Sequence, residues 1–248
     1  MAERYALSHE WLAEDLPALV VVREGLGADA PLLIALHGLG GRKEKMLPAL
    51  YEFARTGCRA VALDVRMHGE RPDAEAREAR LGTDYFETTA DMIEGTARDV
   101  PRLLDHFGAA WAALHGISLG GYITFAALIA EPRLQVATVA MGSPDWVGPL
   151  RRFGLGPGHP AYDRAVRLNP LDLLPQTLSP RPLLMLHGAA DEVVFADGVV
   201  ALEQRLRPLY AAHSDRLALE LYPGLGHSYT DDMLHRSVEW TERFLCNP

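Results

Sequence analysis

The stretch "LHGISLGGY", Leu114 to Tyr122, decides how the rest of the chain is read. An apolar run, "WAALHG" (111–116), passes through Gly116-Ile117-Ser118-Leu119-Gly120 into "YITFAALIA" (122–130). The chain has only seven serines, and one of them stands between two glycines where a strand pattern gives way to a helix pattern. G-x-S-x-G is a weak signal by itself. Its setting strengthens it, because a sharp strand-to-helix turn that presents a serine needs small residues where the two elements meet.

Working outward, short apolar runs alternate with helical segments. "ALVVVRE" (18–24), "PLLIALHG" (31–38), "CRAVALDV" (58–65), "WAALHGIS" (111–118), "QVATVAMGS" (135–143), "RPLLMLHG" (181–188) and "LALELYPG" (217–224) read as strands. Their continuous apolar character is that of strands buried on both faces. Between them, helices are predicted over 41–57, 89–108, 119–132, about 197–212 and 229–245. The second is weakened by Gly95 and Pro101, and Pro132 stops the third. Residues 66–82 read as a polar excursion. Strand–helix alternation predicts an α/β fold with a mostly parallel sheet. The first two strands follow each other without a helix, so that edge is expected to be antiparallel. The chain reads as one domain, 1–248, with the Gly- and Pro-rich segment 147–180 as a cap or lid insertion over one end of the sheet.

Composition narrows the function classes. A formal net charge of -9 argues against a nucleic-acid partner. No apolar run approaches the roughly 18 residues needed to span a bilayer. The N-terminal "MAERYALSHEW" lacks the basic start and apolar core of a secretion signal. Cys58 and Cys246 lie far apart in the sequence, match no metal or redox spacing, and read as free thiols of a cytoplasmic protein.

A serine hydroxyl needs a base to become a nucleophile. Of ten histidines, four (His37, His68, His115 and His187) occur as His-Gly at strand ends and read as loop-orienting residues. His106 and His235 fall in helix patterns and read as exposed. His227, in "YPGLGHSYT" just after the last strand, reaches the same carboxyl edge of the sheet as Ser118 and is the expected base. The base needs a carboxylate to hold it. Asp191, in "LLMLHGAADEVV", is favoured, with Asp145 of "GSPDW" as its rival. Glu192 is expected to point elsewhere, and Asp231 and Asp232 to favour the start of the last helix. Two main-chain N–H groups should face the developing oxyanion, those of Leu119 and, from the "HGLGG" turn (37–41), Leu39. Trp146, Phe153 and Tyr162 are candidates for the wall of a substrate pocket, and Tyr122 for helix packing. Asp64, Arg66, His68 and Glu70 could mimic a metal-ligand cluster, but no metal is expected there.

With "HGLGG", "GISLGG", "HGAADEVV" and "GLGHSY" in this order, the chain resembles serine hydrolases of the α/β-hydrolase superfamily over nearly its whole length. The pairing of "HGLGGRKEK" with "LDVRMHGER" is similar to the small bacterial esterase branch near dienelactone hydrolases and prolyl-oligopeptidase-type domains. The resemblance implies an α/β-hydrolase fold with about eight strands, Ser118 as nucleophile, Asp191 as acid and His227 as base. Two departures stand out: dienelactone hydrolases carry a cysteine in place of Ser118, and no propeller segment is present to filter large peptides. The expectation is a serine carboxylesterase acting on small-to-medium acyl esters, with no cofactor and a small-molecule ester as its partner. A thioesterase or small peptidase would use the same residues, and a catalytically silent hydrolase-like binding protein is the alternative from another class. Oligomeric state is left open.

Overall fold

The computed structural model describes residues 3–27, 29–178 and 180–246. The expected domain span 1–248 and segment 147–180 are followed over those residues only. Eight strands form one sheet in the order β1-β2-β4-β3-β5-β6-β7-β8. They are β1 (Tyr5–Leu12), β2 (Leu16–Arg23), β3 (Leu32–Leu36), β4 (Arg59–Leu63), β5 (Ala112–Ile117), β6 (Leu134–Ala140), β7 (Leu183–Gly188) and β8 (Leu217–Tyr222). β2 pairs antiparallel with both β1 and β4, and every other pairing is parallel. The antiparallel edge therefore begins one strand earlier than the sequence signal. β1 is largely exposed, with a burial pattern too irregular to show as apolar alternation.

The apolar strands are continuous because helices cover both faces. On one face, Leu33 and Ala35 of β3 pack with Leu50 and Phe53 of α1 (Leu47–Arg55) and with Leu234 and Val238 of α9 (Asp231–Thr241). On the other, Ile34 and Leu36 meet α3 (Tyr85–Phe107), α4 (Leu119–Ala130) and α8 (Asp197–Leu206) through residues such as Met92, Ile123 and Leu202. α2 (Arg77–Thr83) occupies the stretch expected to be only a polar excursion.

α3 runs unbroken for 23 residues despite Gly95 and Pro101. Asp84 caps its N-terminus by accepting from Glu87 N, and Gly108 closes it in the left-handed conformation. The glycine has a packing reason. A Cβ at 95 would meet Arg66 Cδ at 2.2 Å, and Arg66 uses that space to reach Asp99 at 3.0 Å.

Between β6 and β7 lie α5 (Val147–Arg152), α6 (Pro160–Leu168) and α7 (Pro170–Thr177), so the Gly- and Pro-rich segment is helical rather than irregular. Proline opens α6 and α7 within their first two positions, where its missing N–H costs nothing.

Topology sets the place of the site. From β3 the chain crosses to β4 on one side, then returns to β5 on the other. The loops leaving β3 and β5 diverge at this switch point, where open α/β sheets form ligand crevices.

Candidate active site

At the end of β5, Ser118 adopts φ 53 and ψ −113, a conformation L residues rarely take. Neighbouring glycines permit it. A Cβ at Gly116 would lie 2.2 Å from Gly120 O, and one at Gly120 would lie 2.2 Å from Leu36 O. Only bare backbone fits where β5, α4 and β3 converge. Ser118 N donates to Ala140 O at 2.8 Å, tying the turn to β6.

Ser118 Oγ lies 2.9 Å from His227 Nε2, and His227 Nδ1 lies 2.7 Å from Asp191 Oδ2. Asp191 is buried, and its other oxygen accepts from Val193 N and Val194 N, both at 2.9 Å. Backbone bonds fasten the loops that carry Asp191 and His227: Ala190 N donates to Leu225 O and Ala189 N to Tyr222 O, both at 2.9 Å. The rival Asp145 is occupied otherwise, its Oδ1 accepting from Val147 N and Gly148 N at the start of α5. Glu192 is exposed, while Asp231 and Asp232 stand in the first turn of α9.

The loop after β3 approaches Ser118 closely; a Cβ at Gly38 would come within 3.3 Å of Ser118 Cβ. Gly41 N donates to Gly38 O at 3.0 Å, and Gly40 has φ +72. This is a type II turn with Leu39 at its second position and glycine where φ must be positive. Leu39 and Leu119 both border the cavity beside Ser118.

All four His-Gly histidines brace loops, as their positions indicated. His68 Nε2 accepts from Gly40 N at 2.9 Å, and His37 Nε2 accepts from Val65 N at 3.1 Å. His187 Nε2 donates to Val194 O at 2.7 Å, supporting the Asp191 turn. His115 bonds Thr138 and Tyr229 beneath the turn of Ser118. Burial pushes His37 down to about 4 and His115 to about 3, and lowers His68 and His187 as well.

Beyond His37, Asp64 accepts from Lys43 N, Lys43 Nζ and Glu70 N, all within 3.0 Å. Burial works against the charge on Lys43, but its bonds to Glu70 and Asp64 outweigh it and raise the ammonium above its ordinary value. Asp64 thus anchors the loop that follows the turn. Among the described residues, no three His, Cys, Asp or Glu side chains are arranged to hold a metal ion.

A cavity of about 790 Å³ opens on Ser118 and His227. Trp146 and Phe153 line it, together with Phe86 and Ile93 from α3. Tyr162 does not line it. That side chain is buried, with its hydroxyl accepting from Arg151 Nε at 3.2 Å and Nη2 at 3.1 Å, and it joins α5 to α6. Tyr122, expected to pack its helix, also lines the cavity. The lining arginines are neutralised. Arg164 pairs with Glu87, Asp91 and Glu94; Arg152 pairs with Asp197 and stacks on Phe195 at 3.6 Å. What remains facing the serine is mainly apolar and aromatic.

Known proteins resemble this chain over nearly its whole length. A model of the α/β hydrolase fold matches residues 31–153, and a model of the prolyl oligopeptidase family matches residues 106–246. The chain belongs to the α/β hydrolases, and its longer match places it with the prolyl oligopeptidase family. The Bacillus subtilis protein named "Putative esterase YitV" is 28% identical over 93% of this chain and 96% of its own. The crystal structure of TT1662 from Thermus thermophilus superposes with a TM-score of 0.77 at 27% identity, covering 99% of each chain. Pyrococcus furiosus esterase Pf2001 shares the fold, with a TM-score of 0.65 at 17% identity over 98% of this chain and 93% of that one. Among the described residues no helix is long and apolar enough to cross a membrane.

Proposed function

We propose that this hydrolase is a serine carboxylesterase acting on small-to-medium acyl esters in the cytoplasm. One observation carries the reading: the hydrogen-bonded chain from Ser118 Oγ through His227 to Asp191, set at an apolar cavity.

In this reading His227 Nε2 takes the proton of Ser118 as Oγ attacks the ester carbonyl. Asp191 accepts from His227 Nδ1, fixes the tautomer and stabilises the imidazolium. The N–H groups of Leu39 and Leu119 receive the oxyanion, each worth about 10²–10³ in rate. Collapse expels the alcohol, which takes its proton from His227. Water, deprotonated by the same nitrogen, then attacks the acyl-enzyme and frees the acid and Ser118. No step calls for a cofactor.

Residues 147–180 act as the cap that shapes the acyl pocket, with Trp146 and Phe153 beside it. The cavity's volume is in the range, about 300–1,000 Å³, of sites that enclose drug-sized ligands. It accommodates more than an acetyl group, and its mainly apolar and aromatic lining favours an aliphatic or aromatic acyl chain.

The test is hydrolysis of p-nitrophenyl esters from acetate to octanoate. Butyrate through octanoate should exceed acetate in kcat/KM, and Ser118→Ala should lower kcat by at least about 10⁴-fold. A folded protein that hydrolyses none of these esters, or a Ser118→Ala variant with full activity, overturns the reading.

A further inference from the structure

Cys58 and Cys246 stand 188 positions apart in sequence, yet their sulfurs lie 2.9 Å from each other. Cys58 is buried immediately before β4, and Cys246 is half-buried in the π-helical turn Glu242–Cys246 that continues α9. Thr56 Oγ1 lies 3.4 Å from one sulfur and 3.5 Å from the other. The pair sits apart from the Ser118 cavity, and neither sulfur has a part in ester hydrolysis.

We propose that Cys58 and Cys246 are a covalent modification site, closing to an intrachain disulfide in the presence of a low-molecular-weight disulfide such as oxidised glutathione. A bond of about 2.05 Å requires the sulfurs to approach by less than 1 Å from where they stand. The two thiols divide the work. Cys246 is the more exposed, and its hydrogen bond from Cys58 lowers its pKa, whereas the same bond and then burial raise that of Cys58. Cys246 is therefore the attacking sulfur and Cys58 the resolving one.

In the first step the Cys246 thiolate attacks one sulfur of the small disulfide, forming a mixed disulfide and expelling one thiolate, which takes up a proton. In the second, Cys58 loses its proton and attacks Cys246 Sγ, breaking the mixed disulfide and releasing the second small thiol. Two protein thiols lose two electrons, and one small disulfide is reduced to two thiols.

The bond would tie the C-terminal turn to the entry of β4 across nearly the whole chain, where loop-closure entropy makes a crosslink most effective. It would also fix the far end of α9, whose near end follows the His227 loop.

The experiment incubates the full chain with oxidised glutathione, with dithiothreitol as control, and reads intact mass, thiol titre in denaturant and melting temperature. The expected result is a mass loss of about 2 Da, a titre falling from two thiols to none, and a crosslinked peptide joining Cys58 to Cys246. The melting temperature should rise by roughly 5–15 °C and return on reduction. Cys58→Ser should instead keep a glutathionyl group on Cys246. Two thiols persisting in the wild type, a glutathionyl adduct that is never resolved, or disulfide-linked dimers in place of the internal crosslink would each overturn the proposal. These readouts do not depend on esterase activity, so failure of either proposal leaves the other standing.

Discussion

Gly188, at the end of β7, lies so close to the His227 loop that a Cβ there would come 2.4 Å from Leu225 O and 2.5 Å from Gly226 O. Both contacts are with backbone, so no side chain can swing aside to make room. The strand that leads to Asp191 and the loop that carries His227 therefore share one rigid junction.

Gly188→Ala forces that junction apart. Displacing a catalytic group by about 1 Å costs roughly 10² in rate, and overpacking of this kind costs about 1–3 kcal/mol of stability. We expect kcat for a p-nitrophenyl ester to fall by about 10²-fold or more, together with a lower melting temperature. Wild-type kcat in the variant would mean that the two loops are not coupled through this contact.

Asp191 and Asp145 both follow strand ends, but only Asp191 reaches His227. Asp191→Asn removes the carboxylate that holds the ring and should lower kcat by about 10³–10⁴-fold. Asp145→Asn keeps an acceptor for the N–H groups of Val147 and Gly148, since asparagine caps helices as well as aspartate does. Its kcat should stay within about threefold of wild type. Steady-state kinetics on the two variants decide between the carboxylates, and the reverse ranking would reassign the acid.

The buried loop histidines make the fold sensitive to acid. His37, at about 4, and His115, at about 3, stay neutral in the fold, while in the unfolded chain they take up protons near pH 6.5. Below that pH the unfolded state binds more protons than the native state, so stability falls as the pH drops from about 6.5 toward 4. These two alone give a slope on the order of 2–3 kcal/mol per pH unit over the lower part of that window. Urea titrations at pH 7, 6 and 5 should show the midpoint moving steadily down. A midpoint independent of pH across that range would contradict neutral burial of these rings.

How much was legible in the sequence follows from how each feature is stabilised. The parallel strands are buried on both faces and write themselves as unbroken apolar runs, as "LLIAL" of β3 does. β1 is an exposed edge strand and leaves no such run. The helices of 147–177 contain glycine and proline and are held by packing against α3, α4 and α8 rather than by propensity. Ser118, Asp191 and His227, which meet through hydrogen bonds, could be singled out because a nucleophile, its base and a carboxylate would call for particular residue types at strand ends. The cavity wall draws on several elements: Trp146 and Phe153 line it from the segment after β6, whereas Phe86 and Ile93 arrive from α3, more than 20 positions before Ser118. Tyr162 was misplaced because an aromatic residue in a cap serves equally well to join two helices. The meeting of Cys58 with Cys246 has no local signal at all, since it depends on where α9 docks.

Ser118 as an activated nucleophile is the property on which ester hydrolysis here depends most directly. Incubation of the native chain with a fluorophosphonate probe, followed by peptide mass mapping, measures that property without reference to any substrate. One adduct per chain is expected, on Ser118, absent from Ser118→Ala and from the heat-unfolded protein. A folded chain that takes up no probe at Ser118 would contradict it.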